Sequence, residues 1–216
     1  MAENNTKTFQ ILTLVIINSA ILETRETFLS PLKSVQVISP LIYYKENMKK
    51  EGSHTSGFAH YQIDLPLKWT KLVQDGDYDQ LYNDAMAAMN EGQFLSNFLK
   101  PHFLELTGRS GYSHELMLAL REGPQSQDDE GIWHDDASRD LAFSLSLNHR
   151  PESIKGGDLH LRNKDSREKV TTLDTQLWGT IIIFATGRYG WEHKISRVTL
   201  GNRLVLVGWL TSKPDL

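Results

Sequence analysis

Hydrophobic and polar positions change rhythm twice along this chain of 216 residues. In roughly the first third, short apolar runs alternate with polar stretches. Residues 11–17 (ILTLVII) are rich in β-branched side chains, which suits an N-terminal strand. The run is far shorter than the roughly 20 residues that span a bilayer. It also lacks a clearly positive start and a good cleavage site, so neither an anchor nor a signal peptide is expected. Residues 34–44 (SVQVISPLIYY) read as extended, and Pro40 makes an edge or bent strand the better fit. Residues 45–57 are polar and contain glycine, and read as a loop.

Between residues 78 and 107 the spacing becomes helical. Leu81, Ala85, Met86 and Met89 recur at that interval, as do Phe94, Phe98, Phe103 and Leu104. Asn90-Glu91-Gly92 interrupts the pattern, predicting two helices joined by a short turn, with Pro101 kinking or restarting the second. The methionines and phenylalanines there read as core packing.

From residue 112 onward the period shortens to two. Strands are predicted over 115–121, 141–148, 158–162, 170–173, 180–185, 194–200 and 203–210, most of them separated by turn-forming residues. Many short strands without intervening helices indicate a mainly β fold with supporting helices (α+β), built on a sandwich or double-sheet jelly roll. The helices would cover one outer sheet face. The length suits a single domain. Residues 1–110 would supply supporting strands and helices, and residues 111–212 the jelly-roll core.

Composition narrows the functions. Apolar residues make up 39% and charged residues 23%, a soluble globular balance, and the net charge is −4. The lysines at 45–50 are interleaved with glutamates, so no basic stripe is available for nucleic acid. With no cysteine, disulfides, thiolate metal sites and thiol nucleophiles are excluded together. Neither phosphate-cradling glycine motif occurs, and no HExxH or GxSxG. Asp128-Asp129-Glu130 reads as a solvated acidic turn, and residues 124–131 as either a plain loop or a lid. A cytoplasmic location is expected, with no nucleic-acid or membrane partner. No oligomeric state is indicated.

Candidate chemistry gathers around four positions. His134 and Asp136 lie two residues apart, so in an extended segment both project to one side while Asp135 points away. Two imidazoles and a carboxylate can cap one face of a ferrous ion and leave the other open. For the second imidazole, His193 and His160 compete, and spacing separates them only weakly. His193 gains weight because Arg203 follows it, opening an alternating strand with Val205, Val207 and Trp209 on its side. An inward-facing arginine needs an anionic partner, and its planar fork suits the carboxylate of an acid co-substrate.

Together, His134-Asp135-Asp136, Gly156-Gly157-Asp158-Leu159, Phe184, His193 and Gly201-Asn202-Arg203 through Trp209 resemble the catalytic core of the Fe(II)/2-oxoglutarate-dependent oxygenases, nearest the prolyl 4-hydroxylase-like superfamily. The resemblance covers roughly the last 100 residues. It implies a double-stranded β-helix in which His134, Asp136 and His193 bind Fe(II) and Arg203 pairs with the distal carboxylate of 2-oxoglutarate, with ascorbate as a supporting reductant. It further implies hydroxylation of a peptidyl proline or a small molecule, with release of succinate and CO2. Cyclisation, desaturation or a silent binding module are the alternatives. A carboxylate at position 136 disfavours halogenation. The tyrosine that such proteins often carry before the HxD motif is missing from 118–123 (LALREG). Arg121 is a candidate for a substrate carboxylate, or else a surface residue paired with Glu122 or Asp128. Trp191, with Tyr189, is a candidate substrate-contacting aromatic.

Overall fold

The computed structural model describes residues 50–51 and 58–213. The strands expected over 11–17 and 34–44 lie outside the described residues. Within the stretch read as a loop, Lys50–Glu51 forms a short strand, β1, which pairs antiparallel with β2 (Phe58–Gln62).

Three helices follow. The first, α1 (Leu67–Asp75), was not expected from the sequence. Of its apolar residues Trp69 is buried, and Leu72 and Val73 pack partly buried against the core. It ends at Gly76, whose φ of 70° is the left-handed conformation glycine adopts without a Cβ penalty. The helix α2 (Tyr78–Ala88) starts at Asp77, whose side chain accepts a hydrogen bond from the Gln80 N–H at 3.2 Å. The helix α3 (Phe94–Thr107) runs through Pro101 without restarting. Both predicted helices are therefore present, and the structure adds the third in front of them.

The strands are β3 (Tyr112–Glu122), β4 (Leu141–Ser146), β5 (Lys155–Gly156), β6 (Leu159–Asn163), β7 (Thr171–Leu173), β8 (Thr180–Ala185), β9 (Trp191–Ile195), β10 (Val198–Leu200) and β11 (Asn202–Ser212). The strand expected over 194–200 is two strands, broken at Ser196-Arg197. This places His193 inside β9 rather than ahead of it. The large sheet has the order β1-β2-β8-β4-β11-β3, and the small one β7-β6-β9. All pairings are antiparallel. An isolated bridge between His134 and His193 adds one more rung to the open edge of β9. This is the jelly roll that the alternating period predicts.

Alternation along the central strands separates two apolar clusters. Phe143, Leu145, Ile183 and Leu206 face the helices, packing with Trp69, Leu99 and Phe103. Ala142, Ile182 and Phe184 face the small sheet and meet its Leu159 and Leu161. The central strands β4 and β8 are buried on both faces, which explains their almost unbroken apolar runs. Gly208 lets β11 close onto the helical side, because a Cβ there would lie 2.4 Å from Phe143 Cε1. Among the described residues no helix is long and apolar enough to cross a membrane.

Phe143 is 1% exposed between the sheet and the helices. Phe143→Ala is expected to lower unfolding free energy by about 3–5 kcal/mol, measured by urea denaturation.

Candidate metal centre

His134, Asp136 and His193 converge. Each offers a ligand atom, and these atoms lie within 4.8 Å of one another. The backbone arranges this. The His134 N–H donates to the His193 carbonyl at 3.1 Å and the His193 N–H donates back at 2.8 Å. Residues paired in this way project to one side, and the two imidazole centroids are 4.3 Å apart. His134 Nδ1 lies 3.0 Å from the Ile132 carbonyl, which leaves Nε2 turned toward Asp136 Oδ1 at 4.0 Å.

Asp136 does not share a regular strand with His134, as the sequence suggested. It follows the bridge and precedes a turn in which Ala137 has φ 55°. Thr186 fixes it instead. The Thr186 hydroxyl donates to Asp136 Oδ2 at 2.9 Å and accepts from the Asp136 N–H at 3.3 Å. One carboxylate oxygen is thus held while Oδ1 faces His134. Arg139 adds a further constraint. Its Nη1 stands 3.8 Å from Asp136 Oδ1, while the guanidinium is held by Glu115 at 2.7 Å and lies 4.4 Å above the Trp209 ring. Asp135 points away and pairs with Lys164.

His193 is buried, and its Nδ1 has no hydrogen-bond partner although it stands 3.9 Å from Asp136 Oδ2. Burial pushes its pKa down to about 4, with Asp136 opposing the shift and His134 adding to it. The imidazole is therefore neutral, the form that binds metals. Its rival His160 faces the other side of the small sheet, 2.9 Å from Thr172 Oγ1. His149 stacks on Trp178 at 4.1 Å.

Arg203 projects between the sheets into a cavity shared with Ser144, Ser146, Ile182 and Val205. It is 5% exposed, and its Nε has no partner. Burial, with repulsion from Arg121, lowers its pKa to about 10, so it stays cationic. Trp191 packs against the inner cluster two residues before His193. Arg121 is half-buried at the start of the same inner face. Residues 124–131 are tied down. Glu130 accepts from Lys194 at 3.0 Å and from the Arg197 N–H at 2.9 Å. Thr186 and Arg139 are the site residues that sequence reasoning missed, because neither belongs to a motif or a recognisable spacing.

Residues 117–211 match the family profile described as the 2OG-Fe(II) oxygenase superfamily. That stretch, less than half of the chain, is similar to the superfamily the profile describes. By that description the chain would take Fe(II) and 2-oxoglutarate as cofactor and co-substrate. It shares its fold with a prolyl-4-hydroxylase of Pseudomonas putida, which is 16% identical. That match covers 74% of this chain and 87% of that one, with a TM-score of 0.52. A prolyl 4-hydroxylase of Phytophthora capsici is 14% identical over 72% of this chain and 59% of its own, with a TM-score of 0.48. A prolyl hydroxylase of Trichoplax adhaerens, solved with a hypoxia-inducible factor peptide, is 16% identical over 79% and 73%, with a TM-score of 0.42. No curated protein sequence matches.

Two outcomes follow. Thr186→Val should retain the fold but weaken metal affinity by about 10- to 100-fold, read by titration with Mn(II). In chelator-treated protein, His193 resists protonation down to about pH 4, whereas in the unfolded chain it titrates near 6.5. The unfolded state therefore takes the proton first. Stability should fall as pH drops from 6.5 toward 4, and His193→Gln should flatten that part of the profile, followed by thermal unfolding.

Proposed function

We propose that this oxygenase hydroxylates an unactivated C–H bond of a peptidyl proline or a small molecule, consuming 2-oxoglutarate and releasing succinate and CO2. The observation that carries the reading is the convergence of His134, Asp136 and His193, with Arg203 buried on the inner face of the opposing sheet. The donor set suits Fe(II): two neutral nitrogens and one carboxylate oxygen, with the second oxygen already committed to Thr186. The orphaned His193 Nδ1 and the unpartnered Arg203 Nε fit a metal and an anion respectively.

Bound Fe(II), with 2-oxoglutarate and dioxygen, supplies the oxidant for C–H cleavage. The chain's own residues do the rest. His134, Asp136 and His193 hold the ion on one side and leave the other open. Arg203 orients the co-substrate through its distal carboxylate, in a dry interior where a charged hydrogen bond gains strength. Phe184 stacks edge-on against His193 at 5.1 Å and keeps water from that side of the centre. Trp191 walls the site beside β9, and we assign it a substrate contact. Ascorbate would serve as the supporting reductant.

Protein supplied with Fe(II), ascorbate and 2-oxoglutarate should release succinate slowly even without prime substrate, and Asp136→Ala should abolish the release. Tight metal binding by the wild type with no succinate formed would instead make the protein a binding module. Free amino acids screened against proline-containing peptides, read by the mass gain of one oxygen, then divide the two substrate classes.

A further inference from the structure

We propose that Arg121 and Arg203 form a two-guanidinium cradle, in which Arg121 supplies a second contact to the carboxylate that Arg203 holds; this rests on the oxygenase reading above. Arg203 is paired directly with Arg121 across the β11–β3 ladder. Directly opposed residues of an antiparallel pair project to the same face, with Cβ atoms about 4.5–5.5 Å apart. Their neighbours show which face this is. Leu116 and Leu118 pack against the helices, so Met117, Ala119 and Arg121 turn toward the small sheet. Arg203 faces the same way, beside Val205 and Ser146. The guanidinium missing from the usual surface pairing is thus beside the one that motif reasoning singles out.

Two like charges at one rung destabilise a sheet unless something compensates them. Among the described residues, neither guanidinium enters a salt bridge, and the alternatives Glu122 and Asp128 do not pair with Arg121. The acidic groups that act on the pair are already engaged. Asp129 accepts from Ser126, and Glu130 accepts from Lys194 and the Arg197 backbone. Asp158 accepts from Ser196. Burial weakens the protonated form of both arginines, more so at Arg203. A carboxylate has four lone-pair sites and accepts from two forks at once. Gly157 leaves the room: a Cβ there would stand 2.5 Å from Arg203 Cδ. A single bound acid group therefore relieves the repulsion and satisfies both cations.

The test is equilibrium binding to the Mn(II)-loaded protein without oxygen. In the first arm, 2-oxoglutarate is titrated into wild type, Arg121→Gln and Arg121→Lys, with 2-oxovalerate as the analogue lacking the distal carboxylate. The cradle predicts that Arg121→Gln weakens 2-oxoglutarate by about 10- to 100-fold and leaves 2-oxovalerate unchanged, with Arg121→Lys in between. In the second arm, succinate is titrated after saturation with 2-oxoglutarate. A loss confined to this arm would give Arg121 to a carboxylate on the prime substrate and overturn the shared-carboxylate assignment. Ligand-free Arg121→Gln should melt at or above the wild-type temperature, because the repulsion is gone; a lower value would mark Arg121 as structural. Wild type that binds 2-oxoglutarate with Arg121→Gln matching it in both arms overturns the cradle alone. Wild type that fails to bind 2-oxoglutarate overturns the oxygenase reading and the cradle with it.

Discussion

One antiparallel bridge holds the centre together: His134 and His193 exchange backbone hydrogen bonds at 3.1 and 2.8 Å. Without it, two histidines separated by 59 positions in sequence would have no reason to share a side. With it, their imidazoles are fixed 4.3 Å apart before any metal arrives. The rest of the fold keeps that bridge in place. β9 is anchored by its full register with β6, and the large sheet behind it is anchored by the helices. The centre therefore inherits its rigidity from elements whose own stability comes from apolar burial.

Polarity inside the jelly roll follows from the same alternation that gives the fold. On the central strands β4 and β8 the positions facing the helices are apolar. Positions facing the small sheet carry Ser144, Ser146 and Arg203 among apolar neighbours. A buried arginine whose Nε has no partner is costly, and an anionic partner would offset that cost. The charge of the inner face lies on the sheet opposite the imidazoles.

Much of this could be read from the sequence, for identifiable reasons. The strands appear because period-two alternation survives in β3 and β11, and the HxD spacing singles out His134 and Asp136 although the extended segment expected to carry both stops at His134. What could not be read was set by tertiary contact. The helix Leu67–Asp75 has only 9 residues, and its apolar stripe of Trp69, Leu72 and Val73 spans little more than one turn, too short to stand out as a period. The break at Ser196-Arg197 depends on β10 leaving β9 to pair with β5, which no local residue announces. Asp136 reaches the site through Thr186, fifty residues away, rather than through strand geometry. Arg121 was visible as a candidate, yet its partner across the ladder depended on register, which two separate strands do not encode alone.

The outer side of the same segment explains how one bridge suffices. His134 turns toward His193, so Trp133 and Asp135 turn to the other side of the segment, and both are pinned. The Arg162 guanidinium lies 4.0 Å above the Trp133 ring and is itself held by Glu192 at 2.7 Å. Asp135 pairs with Lys164. Both anchoring cations come from β6 and the turn after it, the neighbour of β9 on its far side. The segment is therefore clamped across the width of β9 by contacts on either side of the histidine. A slip by one residue would turn His134 away from His193 and Trp133 toward it, and would break the cation–π stack and the ion pair together. Register at the three converging side chains is thus enforced by neighbours that are not among them.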